Sequence, residues 1–200
     1  MNISEEDAYF VRVSHLFYKE ISKQLRQFFK DKWNQKFMPD TWSDRNQSGK
    51  ALWNKIVRQA RKNMNKGVTD KIKAGNSNFW DCSVLFSVLL FADLGLIPPQ
   101  RDETQQQQPL LESENIARLH KIRNQLAHNE DATLTLAEFE SIFKEVSEVY
   151  GDLGWPLSPL DALKTGVLET EDFKRIKQQI QSERMKSMFI KQTLRILGIS

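Results

Sequence analysis

The 200-residue sequence predicts an all-α protein. Three features carry that expectation. Apolar residues recur every three or four positions over long stretches, the spacing of one helix face. Alternating apolar–polar runs, the mark of a half-buried strand, are nearly absent. Punctuation is sparse, with 8 glycines and 6 prolines, and it falls between the periodic segments. Hydrophobic residues make up 40% of the chain, enough to build a core in one domain of this length.

Each element has its own signal. Ser4 can cap a first helix, since its hydroxyl can accept from free backbone amides and Glu5, Glu6 and Asp7 fill the first turn. Phe10, Val13, Phe17, Ile21, Leu25 and Phe28 form a single stripe continuing to about Trp33, and Met38-Pro39-Asp40 breaks it. A second helix is expected from Gln47 to Met64, with Leu52, Ile56 and Ala60 inward, ended by Asn65-Lys66-Gly67. Asn76-Ser77-Asn78 can cap a third, Phe79 to about Leu94. It is apolar on nearly all faces and therefore belongs at the centre of the domain.

Gly95-Leu96-Ile97-Pro98-Pro99 stops that helix. Residues 100–109, with four consecutive glutamines, read as an exposed mobile loop. A fourth helix runs from near Ser113 to His128-Asn129, with Ile116, Leu119, Ile122 and Leu126 inward. Thr135-x-x-Glu138 is a capping box that opens a fifth, which carries Phe139, Ile142, Phe143 and Val146 to Tyr150, where Gly151 closes it. Beyond Gly154-Trp155-Pro156 the chain changes character, so residues 1–154 are expected to form the main domain and 155–200 a C-terminal helical extension. In that extension Ser158 is the expected cap and Pro159 the first turn of a short helix. Thr170-Glu171-Asp172 opens a last helix with Phe173, Ile176, Ile180, Met185, Met188 and Phe189.

The net charge of +3 conceals a basic–acidic–basic pattern. Residues 1–73 carry 16 basic and 8 acidic side chains, residues 74–173 carry 6 and 17, and residues 174–200 carry 7 and 1. A uniformly basic, histone-like protein is excluded. The second helix concentrates Lys50, Lys55, Arg58, Arg61 and Lys62, with Lys66 following. Clustered lysine and arginine attract phosphate backbones, which makes these the candidate RNA-binding residues, with a merely solvated face as the alternative. Lys174, Arg175, Lys177, Arg184, Lys186, Lys191 and Arg195 make the tail a second basic segment, suited to RNA, a membrane surface, a protein partner or the acidic middle of the chain. The acidic fifth helix, with Glu138, Glu140, Glu145 and Glu148, reads as solvated.

One cysteine, Cys82, excludes an intrachain disulfide and sits in the most apolar helix as a buried, inert thiol. The N-terminus is polar and acidic. The longest apolar run, Phe79 to Leu94, is interrupted by Asp81 and Asp93 and falls short of the roughly 20 apolar residues a membrane span needs. These features point to a soluble cytoplasmic or nuclear protein. Three histidines and one cysteine, with no pair at metal-ligand spacing, argue against zinc, and neither a phosphate-binding glycine loop nor a nucleophile elbow is present, so no cofactor is expected.

The chemistry that remains is Ile122-Arg123-Asn124-Gln125-Leu126-Ala127-His128, at the end of the fourth helix. Imidazole titrates near neutral pH and can move a proton to or from a ribose hydroxyl or a leaving oxygen. Guanidinium is permanently charged and can hold a phosphate and the charge that builds on it. On a regular helix Asn124 and His128 lie about 40° apart, whereas Arg123 lies about 140° from His128 and leans toward the apolar stripe. One regular helix cannot aim both at one phosphate. Either the helix loosens before His128 or a second copy completes the site. A plainer role is also open: Arg123 paired with Glu112, Glu130 or Asp131, and His128 serving the helix C-terminus. His15 and His120 read as surface or hydrogen-bonded histidines.

Three pieces in order resemble a known family: Asn78-Phe79-Trp80-Asp81 opening an apolar helix, Leu96-Ile97-Pro98-Pro99 after it, and Ile116-x-x-Leu119-x-x-Ile122-Arg123-Asn124-x-x-x-His128. Together they are similar to the HEPN (higher eukaryotes and prokaryotes nucleotide-binding) domain of an animal RNA-binding RING ubiquitin ligase and its relatives, over roughly residues 5–150. The resemblance implies an all-α, HEPN-like helical bundle, here with an appended C-terminal helical hairpin. It implies a metal-independent endoribonuclease acting as a homodimer on RNA, single-stranded by expectation. Arg123 and His128 would be the catalytic pair and Asn124 the polar residue that shapes the motif. Members that do not cleave leave two alternatives: an interaction or dimerisation module of a larger immune or ubiquitin-pathway protein, and a nucleotide-binding domain.

Overall fold

Four consecutive residues of the first stripe, Val13, Phe17, Ile21 and Leu25, are spaced four apart, and on a regular helix each such step drifts by about 40°. The computed structural model shows how the chain absorbs that drift. It describes residues 4–96 and 112–166, together with 174, 175 and 178. Helix α1 (Glu5–His15) passes through a wide π-turn (Leu16–Ile21) directly into α2 (Ser22–Lys36). The extra residue per turn keeps all four side chains buried. Ser22 Oγ and Cys82 Sγ both donate to the Phe17 carbonyl, at 2.9 and 3.1 Å, and stabilise the widened turn. The expected cap is present: Ser4 Oγ accepts from Asp7 N at 3.1 Å and Asp7 answers through its own carboxylate.

The second predicted helix is in fact two, α3 (Asn46–Lys55) and α4 (Arg58–Asn63). Ile56 and Val57 leave the helix because their backbone pairs with the far end of the central helix. Val57 N donates to the Phe91 carbonyl and Asp93 N to the Lys55 carbonyl, both at 3.0 Å, around an isolated Ile56–Ala92 antiparallel bridge. Both residues are β-branched, which makes the extended conformation easy to reach. A further correction follows at once. α4 does end just before Asn65-Lys66-Gly67, but no loop follows: Asn65 caps a new helix, α5 (Lys66–Ala74), accepting from Val68 N at 2.8 Å. α3 and α5 touch through glycines. A Cβ at Gly49 would lie 2.4 Å from the Ile72 carbonyl oxygen, and one at Gly75 (φ +73°) would lie 2.1 Å from that of Arg45.

The central helix also starts later than its apolar run suggests. Ser77–Phe79 is a 3-10 turn, and Asp81 caps α6 (Cys82–Phe91) by accepting from Val84 N at 3.1 Å. Phe79 is accordingly 76% exposed rather than buried. Trp80 takes the inward position and its indole donates to the Lys71 carbonyl at 2.9 Å. α6 stops at Phe91, not Leu94, because Ala92 and Asp93 are drawn into the bridge. Its central place is as expected: Val84, Leu85, Phe86, Val88 and Leu89 are buried, and α2, α5 and α7 pack against it.

α7 (Glu112–His128) and α8 (Leu136–Asp152) follow the sequence closely. Thr135 and Glu138 form the capping box. Arg118 of α7 reaches Glu148 at 2.8 Å, Glu145 at 3.4 Å and Asp152 at 3.9 Å, so two of the glutamates expected to be solvated are paired. α8 runs through Gly151, and the turn falls at Gly154 (φ +67°). In α9 (Ser158–Thr165) Ser158 is the first helical residue rather than the cap. Leu160 is buried and Arg12 donates to the Leu163 and Lys164 carbonyls, which ties α9 to the π-turn end of the bundle. Among the described residues there is no strand, and no helix is long and apolar enough to cross a membrane. Segment 100–109 lies outside the described residues. So does the last predicted helix, apart from residues 174, 175 and 178, which are helical.

Phe29 and Trp33 of α2 meet Trp42 and Trp80 in a ring cluster, with centroids 4.8–6.3 Å apart. Asp44 locks its edge. It accepts from Trp42 Nε1 at 2.9 Å, from Ser77 N at 2.8 Å and from Lys30 at 2.6 Å. Burial alone would raise its pKa, but the hydrogen bonds from Lys30, Ser77 and Trp42 outweigh it and hold the carboxyl at about 2.

Candidate functional site

The apolar stripe of α7 decides where the motif points. Ile116, Leu119, Ile122 and Leu126 are buried, so residues 117, 121, 124, 125 and 128 are left on the open side. Asn124 and His128 line one shallow hollow there, together with Ala117, His120, Lys121 and Gln125. His128 is exposed at the last position of the helix.

Arg123 does not join them. It leans toward α6, as its angle predicts, and donates from Nη2 to Ser83 Oγ at 2.7 Å and from Nη1 to Asn124 Oδ1 at 3.2 Å. Among the described residues no carboxylate pairs with it, so the alternative of an ion pair with Glu112, Glu130 or Asp131 is not realised. The helix remains α-helical through His128, which removes local loosening as the way to bring Arg123 and His128 together. Asn124 is the link between the two sides: it lines the hollow and also holds the guanidinium.

Asn124 has a second partner, His120 Nε2 at 3.2 Å. The His120 ring packs on Phe86 of α6 with centroids 5.1 Å apart, and its pKa is lowered by burial first and by the Arg123 charge second. Arg123 also faces the buried thiol of Cys82, yet burial dominates there and pushes the thiol up to about 11, in keeping with an inert cysteine. The third histidine, His15, is buried. Sequence reading had set His120 aside. Its spacing of four from Asn124 and eight from His128 was the available signal. Ser83, forty positions before Arg123, had none.

The predicted RNA-binding residues lie on two helices instead of one. Lys50 and Lys55 are exposed on α3, Arg58 and Lys62 are exposed on α4, and Arg61 is half-buried there. α5 completes the surface. Lys73 Nζ stands 4.7 Å and Arg61 Cζ 5.9 Å from the centroid of the Trp53 ring, while Lys55 Nζ stands 4.9 Å from that of Phe37. Lys73 escaped the sequence reading because α5 did, and with it the contact that Lys73 makes to Trp53 of α3. Residues 45–73 carry nine basic side chains and one acidic. Among the described residues Lys50, Lys55, Arg58, Arg61, Lys62 and Lys73 make no ion pair, whereas Lys30, Lys32, Lys36, Lys71, Arg118 and Lys164 all do.

No curated protein and no solved structure gives a significant match. One family model does, described as DZIP3/hRUL138-like HEPN, over residues 22–176. The matched span opens at the first residue of α2, contains the α6–α7 pair that carries Ser83, Arg123, Asn124 and His128, and continues beyond α9. With more than half of its length matched and its motif set on an all-helical bundle, this chain belongs to the DZIP3/hRUL138-like HEPN family.

Proposed function

We propose that this HEPN domain binds single-stranded RNA and cleaves it without a metal ion, as a homodimer. The observation that carries the reading is the placement of Asn124 and His128 on one open hollow, with Arg123 tethered to its edge through Asn124. His128 would take the proton from a ribose 2′-hydroxyl or deliver one to the leaving 5′-oxygen. The 2′-oxygen bonds to phosphorus as the bond to the 5′-oxygen breaks, leaving a 2′,3′-cyclic phosphate and a 5′-hydroxyl. Arg123 would steady the charge on the phosphate. Since one regular helix separates Arg123 from His128, a second copy is what supplies the missing half of each site. Lys50, Lys55, Arg58, Arg61 and Lys62, joined by Lys73, would hold the RNA backbone; that none of them makes an ion pair among the described residues supports that role.

A second reading has its own observation. The Arg123 guanidinium already has two hydrogen-bond partners in the chain, Ser83 and Asn124, as a structural arginine would. On that reading the domain is a non-catalytic interaction or dimerisation module. Incubation with single-stranded RNA in EDTA separates the two. Cleavage by the wild type that is lost in Arg123→Ala and His128→Ala supports the ribonuclease. Absence of both cleavage and RNA binding supports the module. A strictly monomeric mass at high concentration would leave the site without its second half. Saturable binding of ATP or GTP without cleavage would favour a nucleotide-binding domain instead.

A further inference from the structure

The hydrogen bonds around Asn124 have a forced direction. Arginine only donates, so the Asn124 atom facing Arg123 must be the carbonyl oxygen Oδ1. The other end of the amide, Nδ2, is then a donor, and it faces His120 Nε2. A nitrogen that accepts carries no proton, so His120 is neutral with its proton on Nδ1. The result is a relay of fixed polarity. Arg123 donates to Ser83 and to Asn124, and Asn124 donates to His120. Each link is the only one its donors and acceptors allow.

We infer that His120 is a positioning residue of the proposed RNA-cleaving site: its neutral imidazole holds the Asn124 amide and, through it, Arg123 at the edge of the hollow that Asn124 and His128 line. This rests on the reading of that hollow as the reaction site. His120 need not touch the reacting atoms. It sets the orientation of a side chain that does, and a misplacement of about 1 Å in such a group can cost up to about a hundredfold in rate.

The surroundings keep the relay intact at neutral pH. From α6, Phe86 covers the ring, and Ser83 holds the other end of Arg123. On α7 itself the charged neighbours are Arg123 and, along the hollow, Lys121, both cations. Burial and the Arg123 charge both disfavour the imidazolium. Protonation would set an N–H against the N–H of Asn124 and release the amide. The relay is therefore complete above the ordinary histidine range and is lost as pH falls below it.

The test compares wild type, His120→Ala, His120→Gln and His128→Ala on single-stranded RNA in EDTA across pH 5–8. Nitrogen-15 spectra of the imidazole rings and of the Arg123 Nε–H are recorded in parallel. Glutamine keeps an acceptor at a reach similar to Nε2 but cannot titrate there. His120→Ala should lower kcat about tenfold with a smaller change in KM, and should loosen the Arg123 Nε–H. His120→Gln should keep near-normal rate at neutral pH and lose the acid-side decline that His120 causes. If His120→Ala cleaves like wild type while His128→Ala is inactive, the role of His120 is wrong and the ribonuclease reading stands. If wild type neither cleaves nor binds RNA, both fall. If His120→Ala does not fold, the ring spectra decide: a proton on Nε2 at neutral pH overturns the inference.

Discussion

Two regions of this molecule handle their charges in opposite ways. At α7 each arginine is engaged within the chain: Arg118 by Glu145, Glu148 and Asp152, and Arg123 by Ser83 and Asn124. Across α3–α5 seven cations make no ion pair among the described residues, and three of them rest against aromatic rings instead. An engaged side chain has a fixed geometry, which chemistry on one phosphate needs. An unengaged cation keeps its full field for an outside anion, which backbone binding needs and which demands little geometry. On the proposed function, the contrast divides positioning and attraction between two faces of the molecule.

The largest expected effect tests that division directly. His128→Ala should reduce the cleavage rate by about a thousandfold while leaving RNA affinity within a few-fold, since proton transfer is lost and the cationic surface is not. The double variant Arg58→Glu, Lys62→Glu should do the reverse, weakening affinity about tenfold or more with little change in the rate at saturating RNA. A direct binding titration beside single-turnover kinetics reads both. Equal effects on both quantities from either variant would erase the distinction between the two regions.

Next in size is the ring cluster that Asp44 locks. The Asp44 carboxyl sits below its unfolded value, so its contribution to stability is complete above about pH 4 and fades as pH falls toward about 2. Asp44→Asn should cost about 2 kcal/mol at neutral pH and flatten that acid limb, as followed by denaturant unfolding at a series of pH values. An unchanged acid limb would show that Lys30, Ser77 and Trp42 do not hold the carboxylate ionised. A smaller loss is expected for Arg118→Ala, which unclamps α7 from α8 at a mostly solvent-facing network: about 1 kcal/mol of stability, sensitive to salt, with cleavage retained.

The smallest effect sharpens the basic side. Trp53→Leu removes the ring that Arg61 and Lys73 lean on while leaving their charges in place. RNA affinity should fall only a few-fold, with the salt dependence of binding unchanged, whereas Lys73→Ala should shallow the salt slope by about 0.7 for a single-stranded RNA. A steep loss in Trp53→Leu would mean that the ring contacts the bases rather than organising cations.

Much of this was legible from residue order because it is local. Spacings of three and four, Ser4 with Asp7, Thr135 with Glu138, and the apolar centre Val84–Leu89 state their helices within a few residues, since helix hydrogen bonds and caps span no more than about four positions. The angle between Arg123 and His128 was legible for the same reason. Features that depend on a neighbour distant in sequence were not. Ile56 and Val57 look helical until the end of α6 offers them a bridge, and Gly67 looks like a stop although it lies in the first turn of α5. Asp81 displaced the more obvious Asn76–Asn78 as the cap of α6 because Trp80 was pulled inward to meet Lys71.

Residue order alone thus established an all-helical chain, its basic and acidic thirds, and a helix ending in an arginine–asparagine–histidine motif. Packing settled where those groups aim. Arg123 turns to Ser83 because α6 lies against that side of α7, the Asn124 amide takes its orientation from a donor-only partner, and His120 enters the network because Phe86 covers it. The backbone of a helix follows from its own residues; the direction and protonation of a side chain follow from what stands across from it.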